Sequence, residues 1–292
     1  MTKIALKVAY DGTRFSGSQI QVHDRTVEGD MLRALEKLRI VKDAGSADLS
    51  SAGRTDRGVH SVGQIMTFYT DSPEIALPRV INSVLPEDIR VWASAPVPNA
   101  FDPRRHAVSR CYRYYLAKNS YDISLMREAG NLFIGEHDFT NFSKRDRKNP
   151  QNTIRTVRTL NIRVTGEIIQ IDIDANAFLW NMVRKIVRAL MLVGAGKRPV
   201  EWVSRMLDPE NYEEGLEPAP AHGLVFISVS YGANEPEWVT DNYAVEKLTD
   251  FYRDRTEYYR VMSTITHMFA TDIVASEKTE SEYDDQWYPF RH

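Results

Sequence analysis

Cysteine is almost absent from this sequence: Cys111 is the single example among 292 residues. One cysteine excludes an intramolecular disulfide framework and any zinc site built from several cysteines. This usage fits the reducing cytoplasm, and the N-terminal residues contain no signal-like segment. The longest apolar stretch, around residues 189–195, is far too short to span a bilayer, so we expect no membrane role.

Signatures of bound cofactors are missing as well. The sequence has no P-loop and no Gly-x-Gly-x-x-Gly segment, so it predicts no nucleotide cofactor. Its histidines do not have the spacing of a local metal motif, and we expect no metal centre. The chain has only 15 glycines and 13 prolines and is 42% hydrophobic, which indicates a folded protein long enough for two domains.

Positive charge is unevenly distributed, although the net charge is only −3. Residues 233–292 contain 13 acidic and 6 basic side chains, a net of −7, which leaves +4 for residues 1–232. Basic runs with few acidic neighbours can neutralise phosphates, although such runs are also typical of a solvated surface. Three runs stand out: Arg104, Arg105, Arg110, Arg113 and Lys118; Lys144, Arg145, Arg147 and Lys148; and Arg184, Lys185, Arg188, Lys197 and Arg198.

Hydrophobic periodicity predicts strands and helices in both halves of the chain, an α+β pattern that occurs twice. In the first half, Thr26 can cap a helix that follows a strand. The first half has predicted strands at 3–10, 65–69 and 89–93 and a second helix at 77–85. The second half has predicted strands at 110–118, 156–164, 168–174 and 224–231 and helices at 182–194 and 202–207.

The acidic residues 233–292 show apolar positions at three- and four-residue spacing, which predicts one long helix or two shorter ones. Packing of this helix on the body of the protein is the simpler expectation, and a surface for a partner is the alternative. The apolar positions are Val245, Leu248, Tyr252, Tyr259, Met262, Phe269 and Ile273.

One octapeptide, at residues 53–60, is the most informative segment of the chain. It reads Gly-Arg-Thr-Asp-Arg-Gly-Val-His and places Asp56 between Arg54 and Arg57. The glycines allow a tight turn that presents the carboxylate outward. A structural turn in which Asp56 pairs with a local arginine is the alternative.

This octapeptide resembles the active-site motif of the TruA family of tRNA pseudouridine synthases, Gly-Arg-Thr-Asp-Ala-Gly-Val-His. Further matches follow in the family's order, and the resemblance covers roughly residues 3–232. They lie at residues 10–17, 19–21, 26–28, 110–114, 137–139, 176–184 and 221–224. Three residues depart from the family pattern: Ser18, Arg57 and Trp180 stand where tryptophan, alanine and histidine are usual.

The resemblance implies two related ferredoxin-like α+β domains, at residues 1–104 and 105–232. Their sheets would join into one extended mixed or antiparallel sheet with the active cleft between them, and residues 233–292 would form a helical extension. The implied activity is isomerisation of uridine to pseudouridine at positions 38, 39 and 40 of the tRNA anticodon stem-loop. The family also implies a homodimer, and beside these motifs the basic runs favour RNA.

The resemblance implies roles for individual residues too. Asp56 would act on the sugar, as nucleophile or proton acceptor, and Arg184 would pair with it. The uridine must leave the base stack, and Tyr112 would form the wall of the pocket that receives it. Arg54 would fill the space left by the flipped nucleotide. The remaining predicted substrate-binding residues are Thr55, Leu224, Arg104 and Arg110.

Two other functions are compatible with these residues. An RNA-binding module or chaperone could keep the basic surface without turnover, but Asp56 would then oppose phosphate binding with no benefit. A family member with different RNA target sites is the other alternative. A glycoside hydrolase ranks last, because no second carboxylate accompanies Asp56.

Overall fold

The computed structural model describes residues 1–144, 152–211 and 216–279. The chain divides into two compact units, Met1–Ala244 and Val245–His292. The first unit has the mixed helix and strand content that the sequence predicts. The proposed boundary between residues 104 and 105 stays a prediction, because the two sheet halves form part of one unit.

The N-terminal part of the first unit follows the predicted order. Thr26 caps the first helix, as expected, and its hydroxyl accepts a hydrogen bond from the Gly29 N–H at 3.2 Å. The helix predicted at 77–85 is shorter and ends at Asn82. The side chain of Asn82 exchanges two hydrogen bonds with the backbone of Val91. The elements are β1 (Thr2–Tyr10), α1 (Val27–Lys37), α2 (Ala44–Ala47), β2 (Ser50–Ser51), β3 (His60–Thr70), α3 (Pro78–Asn82) and β4 (Ile89–Val97).

The C-terminal part contains the predicted hairpin and the predicted long buried helix. It also contains a helix that periodicity did not predict, which begins after Asp122; this side chain accepts from Ser124 and Leu125. The elements are β5 (Ser109–Ala117), α4 (Ile123–Asn131), β6 (Gly135–Asp138), β7 (Ile154–Thr165), β8 (Ile168–Ala175), α5 (Met182–Gly194), α6 (Glu201–Met206), β9 (Leu224–Ser230), β10 (Val239–Thr240) and α7 (Asn242–Thr279).

The ten strands of the described residues belong to one mixed sheet, as expected. Nine follow the order β10-β4-β1-β3-β9-β5-β8-β7-β6, and β2 pairs with β3. Among these described strands, every pairing is antiparallel except that of β3 with β9, where His60 lies opposite Val225 and Ser61 opposite Phe226. This parallel pairing joins the N-terminal strands to the C-terminal strands. We refer to it below as the junction.

Two apolar clusters stabilise the sheet. One lies between the N-terminal strands and α1, where Leu6, Met31 and Leu35 are fully buried. The larger cluster packs the C-terminal strands against α4, α5 and α6, and Ile173 and Ile186 are fully buried there. Gly63 lies where β3 runs beside β9, and a Cβ at this position would overlap the carbonyl of Ile227. Close approach of the two strands therefore requires glycine.

Residues 233–244, which the sequence groups with the extension, belong to the first unit. Strand β10 pairs with β4, and Asp241 forms an ion pair with Arg79 at 2.8 Å. Ala244 is buried. These contacts complete one edge of the sheet.

Helix α7 is a single long helix, one of the two predicted forms. Tyr259, Met262 and Phe269 of its apolar stripe are 52%, 38% and 56% exposed, and packing of this stripe on the body of the protein stays a prediction. The side chain of Ile273 lies outside the described residues. None of the helices in the described ranges has an apolar stretch long enough to cross a membrane.

Candidate active site

The Asp56 loop, residues 53–59, connects β2 to β3 and lies beside the junction. Gly58 has a φ of +80°, and the Val59 N–H donates to the Asp56 carbonyl at 3.1 Å, which closes a tight turn. Gly12 packs against this turn so closely that a Cβ would overlap the carbonyl of Val59. The outward turn expected from the glycines is therefore present, and Asp56 keeps 32% of its side chain exposed.

Backbone and side-chain bonds hold the loop from beneath. Ser18 and Thr55 exchange two hydrogen bonds: the Ser18 N–H donates to the Thr55 carbonyl at 3.0 Å, and the Thr55 N–H donates to Ser18 Oγ at 2.9 Å. The Thr55 hydroxyl lies 2.8 Å from the Tyr10 hydroxyl. Thr55 is only 8% exposed. This position favours a role in orienting the neighbouring Asp56 over direct contact with substrate.

Helix α5 supplies the partner of the carboxylate. Arg184 Nη1 lies 3.2 Å from Asp56 Oδ2. The guanidinium is anchored by two more acceptors, the Ala219 carbonyl at 2.6 Å and Asn181 Oδ1 at 3.3 Å. Its side chain is 17% exposed. The ion pair expected from the resemblance is therefore formed, and Arg57, the alternative local partner, is exposed to solvent.

The second carboxylate oxygen has a partner that sequence reasoning did not assign. The Trp180 Nε1–H donates to Asp56 Oδ1 at 3.1 Å. In the sequence, Trp180 is visible only as a departure from the family pattern. No periodic pattern reveals this bond, because Trp180 precedes α5 and the intervening Asn181 has a φ of +64°. Both oxygens of Asp56 are thus hydrogen-bonded from the same segment.

Tyr112 lies on β5, opposite Phe226 of β9 and next to the junction, and it is largely enclosed. Its ring centroid is 5.1 Å from that of Phe178 and 4.9 Å from that of Phe226. Only 8% of the residue is exposed. Burial raises the pKa of the Tyr112 hydroxyl well above its ordinary value, so this group stays protonated at neutral pH. Leu224, 5% exposed, belongs to the same apolar cluster.

Arg110 is placed within the scaffold. It is 9% exposed, and its guanidinium donates to the carbonyls of Ala52, Arg104 and Asn176 at 3.1, 2.6 and 3.0 Å. Burial lowers the pKa of Arg110 from its usual value. Ala52 directly precedes the Asp56 loop, and Asn176 lies four residues before Trp180. Arg110 therefore ties these segments together, a geometry that does not favour the phosphate contact expected from the sequence.

The other basic residues differ in how far they are open to RNA. Arg54 and Arg104 are exposed, as their predicted substrate contacts require. Arg113 is not free, because it forms an ion pair with Asp172 at 2.6 Å. Arg145, Arg147 and Lys148 lie outside the described residues. The remaining exposed basic side chains of the predicted runs are Arg105, Lys118, Lys144, Lys197 and Arg198.

His60 links the Asp56 loop to the C-terminal strands. The Gly12 N–H lies 3.1 Å from its Nδ1, and its Nε2 lies 3.1 Å from the carbonyl of His222. Ser61, the next residue, donates through its hydroxyl to the Phe226 carbonyl at 3.1 Å. These bonds fix the loop against β9. In the described ranges, no three His, Cys, Asp or Glu side chains are grouped so that they could hold a metal ion.

This arrangement combines one partly exposed carboxylate, a guanidinium and an indole N–H, beside the exposed Arg54 and Arg57 of the same loop. A single carboxylate held in this way can act as a nucleophile or as a proton acceptor. Charge-assisted bonds to both oxygens fix its orientation.

Known proteins resemble this chain over almost its whole length. A family model described as tRNA pseudouridine synthase matches residues 129–232. The chain is 51% identical to tRNA pseudouridine synthase A of Methanococcoides burtonii over 92% of this chain and 98% of that protein. The proteins of the same name from Methanosarcina mazei and Archaeoglobus fulgidus are 51% and 42% identical, over 90% and 92% of this chain and 97% and 98% of their own. The chain therefore belongs to the tRNA pseudouridine synthase A family, the TruA family, and is an isomerase that forms pseudouridine in tRNA.

Proposed function

We propose that this enzyme isomerises uridine to pseudouridine at positions 38, 39 and 40 in the anticodon stem-loop of tRNA. The reaction breaks the bond between C1′ and N1, rotates the uracil and joins C5 to C1′. It has no net redox change and needs no nucleotide cofactor. The observation that carries the proposal is the Asp56–Arg184 pair, which the junction assembles inside the motifs typical of the family.

In this proposal Asp56 acts on the sugar of a uridine that has left the base stack. Arg184 keeps the carboxylate charged and oriented beside an anionic substrate. Tyr112, with its protonated hydroxyl, borders the base, and Leu224 packs beneath it. The exposed Arg54 enters the space that the flipped nucleotide leaves. Removal of one base from a stack costs a few kcal/mol, which contacts of this kind offset.

The anticodon stem-loop assignment rests on the family resemblance of the catalytic motif. Three departures, Ser18, Arg57 and Trp180, surround Asp56 in sequence or in space. They leave the carboxylate and its arginine unchanged: Ser18 is buried beneath the loop, and Arg57 and Trp180 are exposed. Their positions favour a difference in how the RNA is held, which keeps other target uridines as the second candidate. We also propose that the enzyme is a homodimer and acts in the cytoplasm.

Pseudouridine mapping tests this assignment directly. Total tRNA from cells with and without the protein is mapped at single-nucleotide resolution, and the deletion strain is complemented with the wild type or with Asp56→Asn. We expect pseudouridine at positions 38–40 to disappear on deletion and to return with the wild type only. If pseudouridine at positions 38–40 is unchanged on deletion and is lost at other positions, those other positions are the target sites. Unchanged signals throughout the tRNA would argue for an RNA-binding protein without turnover.

A further inference from the structure

The indole of Trp180 binds one of the two oxygens of the Asp56 carboxylate. The oxygen Oδ2 faces Arg184, whose guanidinium is held by three acceptors and whose side chain is 17% exposed. The other oxygen, Oδ1, receives the Trp180 N–H at 3.1 Å. Trp180 itself is 53% exposed. The two partners of Asp56 thus differ: one is anchored in the scaffold, and the other lies at the surface.

Lys144 is bound to Trp180 in two ways. Its ammonium lies 4.0 Å from the centroid of the indole ring, and its backbone N–H donates to the Trp180 carbonyl at 2.9 Å. The side chain of Lys144 is also exposed. An exposed aromatic ring beside an exposed cation offers a face for a base and a charge for a phosphate. Trp180 donates to the catalytic carboxylate, and Lys144 contacts the ring of Trp180.

We propose that Trp180 and Lys144 form a subsite for one unpaired nucleotide next to the target uridine. The indole stacks on the base of that nucleotide, and the Lys144 ammonium neutralises its phosphate. Occupation of the subsite takes the indole N–H away from Oδ1, and this oxygen then faces the sugar of the flipped uridine. Without RNA, the same N–H holds Oδ1 in place. The inference rests on the proposed role of Asp56.

The geometry explains why Oδ1 and not Oδ2 would be released. Movement of Arg184 would break its bonds to the Ala219 carbonyl and to Asn181 as well as the ion pair. Movement of the indole breaks its hydrogen bond to Oδ1, while the backbone bond between Lys144 and Trp180 can remain. The nucleotide that binds would therefore displace the partner with fewer constraints. Trp180 is a positioning residue for Asp56 in the free enzyme and an RNA contact in the complex.

Kinetics of three variants test the subsite on the full chain. Trp180→Ala removes the ring and the N–H, and Trp180→Phe keeps a ring but removes the N–H. We expect Trp180→Ala to raise KM for an unmodified tRNA transcript by about 5- to 100-fold, the range for loss of one base stack on an aromatic ring. Trp180→Phe should recover most of this loss. Lys144→Ala should raise KM and reduce the log-log salt slope of binding by about 0.7 to 0.9.

Lys37→Ala, which removes an exposed lysine from α1, is the matched control for Lys144→Ala. The melting temperature of each variant identifies a folding defect. A fall in kcat with unchanged KM in both Trp180 variants would overturn the proposal, because the N–H would then act on Asp56 during the reaction. Equal KM values for Trp180→Phe and Trp180→Ala would also contradict it.

Fluorescence supplies an independent readout. We expect tRNA to quench the wild-type tryptophan emission, because a base stacks on the indole, and to quench Trp180→Phe clearly less. Equal quenching in both proteins would exclude stacking on Trp180. Asp56→Asn is assayed in parallel: if it is inactive while the Trp180 variants fail these tests, only the subsite is wrong. If Asp56→Asn turns over, the proposed catalytic role itself fails.

Discussion

Arg184 Nη1 and Asp56 Oδ2 lie 3.2 Å apart although 128 positions separate the two residues in the chain. Asp56 precedes β3 and Arg184 lies in the first turn of α5, so the pair forms only when the N-terminal and C-terminal strands meet at the junction. The catalytic geometry is therefore a property of the assembled sheet. A change that opens the junction should abolish activity without touching either residue.

The first prediction concerns Asp56 itself. Asp56→Asn keeps the size of the side chain but removes its charge and its ability to accept a proton. We expect turnover to fall by roughly 10³-fold or more, the scale for loss of a catalytic nucleophile or base. Affinity for tRNA should change by less than about 3-fold, because phosphate contacts dominate it. Tritium release from C5-labelled tRNA measures turnover, and a binding titration measures affinity.

The second prediction separates charge from geometry at Arg184. Arg184→Ala should lower activity by about 100-fold, because Asp56 loses its cationic partner and two further hydrogen bonds of the guanidinium are lost. Arg184→Lys should recover only part of this, since lysine keeps the charge but cannot reach three acceptors with a planar fork. Circular dichroism must show that both variants fold. Full activity in the alanine variant would mean that Asp56 needs no cationic partner.

The local pattern of residue types in the sequence was sufficient to predict much of this site. The glycines and charges of the octapeptide predict an outward Asp56, and the structure has the predicted turn. The capped α1 and the apolar face of α5 follow from short-range periodicity. Such features depend on neighbours within a few positions, so sequence alone specifies them.

Long-range contacts could not be predicted in the same way. The parallel pairing of β3 with β9 leaves no periodic signature in either strand. The basic run that includes Arg110 suggested phosphate contacts, whereas the structure places this guanidinium on three carbonyls. Charge pattern does not reveal burial. Trp180 was visible as a departure, but its bond to Asp56 depends on how α5 meets the loop.

A matched pair of arginines tests this distinction. Arg104 is exposed, and Arg104→Ala should reduce the log-log salt slope of tRNA binding by about 0.7 to 0.9 without a change in melting temperature. Arg110 is buried, and Arg110→Ala should destabilise the fold by about 1–3 kcal/mol, because buried carbonyls lose their donor. Salt-dependent binding curves and thermal melts measure the two effects. If Arg110→Ala instead reduced the salt slope and left the melting temperature unchanged, Arg110 would lie on the RNA-binding surface.

Alkaline pH should weaken the fold through Tyr10. Burial raises the pKa of Tyr10 to about 12, whereas an unfolded tyrosine titrates near 10. The unfolded state therefore loses its proton first, and the contribution to stability, complete below pH 10, is lost as pH rises towards 12. A shift of this size corresponds to about 3 kcal/mol for this residue. Denaturant melts between pH 9 and 12 measure it.

Tyr10→Phe is the control for this pH dependence. It should cost about 1 kcal/mol at neutral pH, because the hydroxyl bond to Thr55 is lost. Its stability should then fall less steeply than that of the wild type between pH 10 and 12. Parallel curves for the two proteins would assign the alkaline transition to other groups.

The last prediction concerns the edge of the sheet. Residues 233–244 supply β10, the Asp241–Arg79 ion pair and Trp238, whose ring lies 4.6 Å from the Lys7 ammonium. A protein truncated after Gly232 loses all of these contacts, whereas one truncated after Ala244 keeps them. We expect the shorter protein to melt roughly 4–10 °C below the longer one, as 2–3 kcal/mol would produce in a unit of this size. Both truncations retain Asp56, Tyr112 and Arg184, so each should keep tritium-release activity below its own melting temperature. Equal melting temperatures would show that β10 and its ion pair do not contribute to the stability of the sheet.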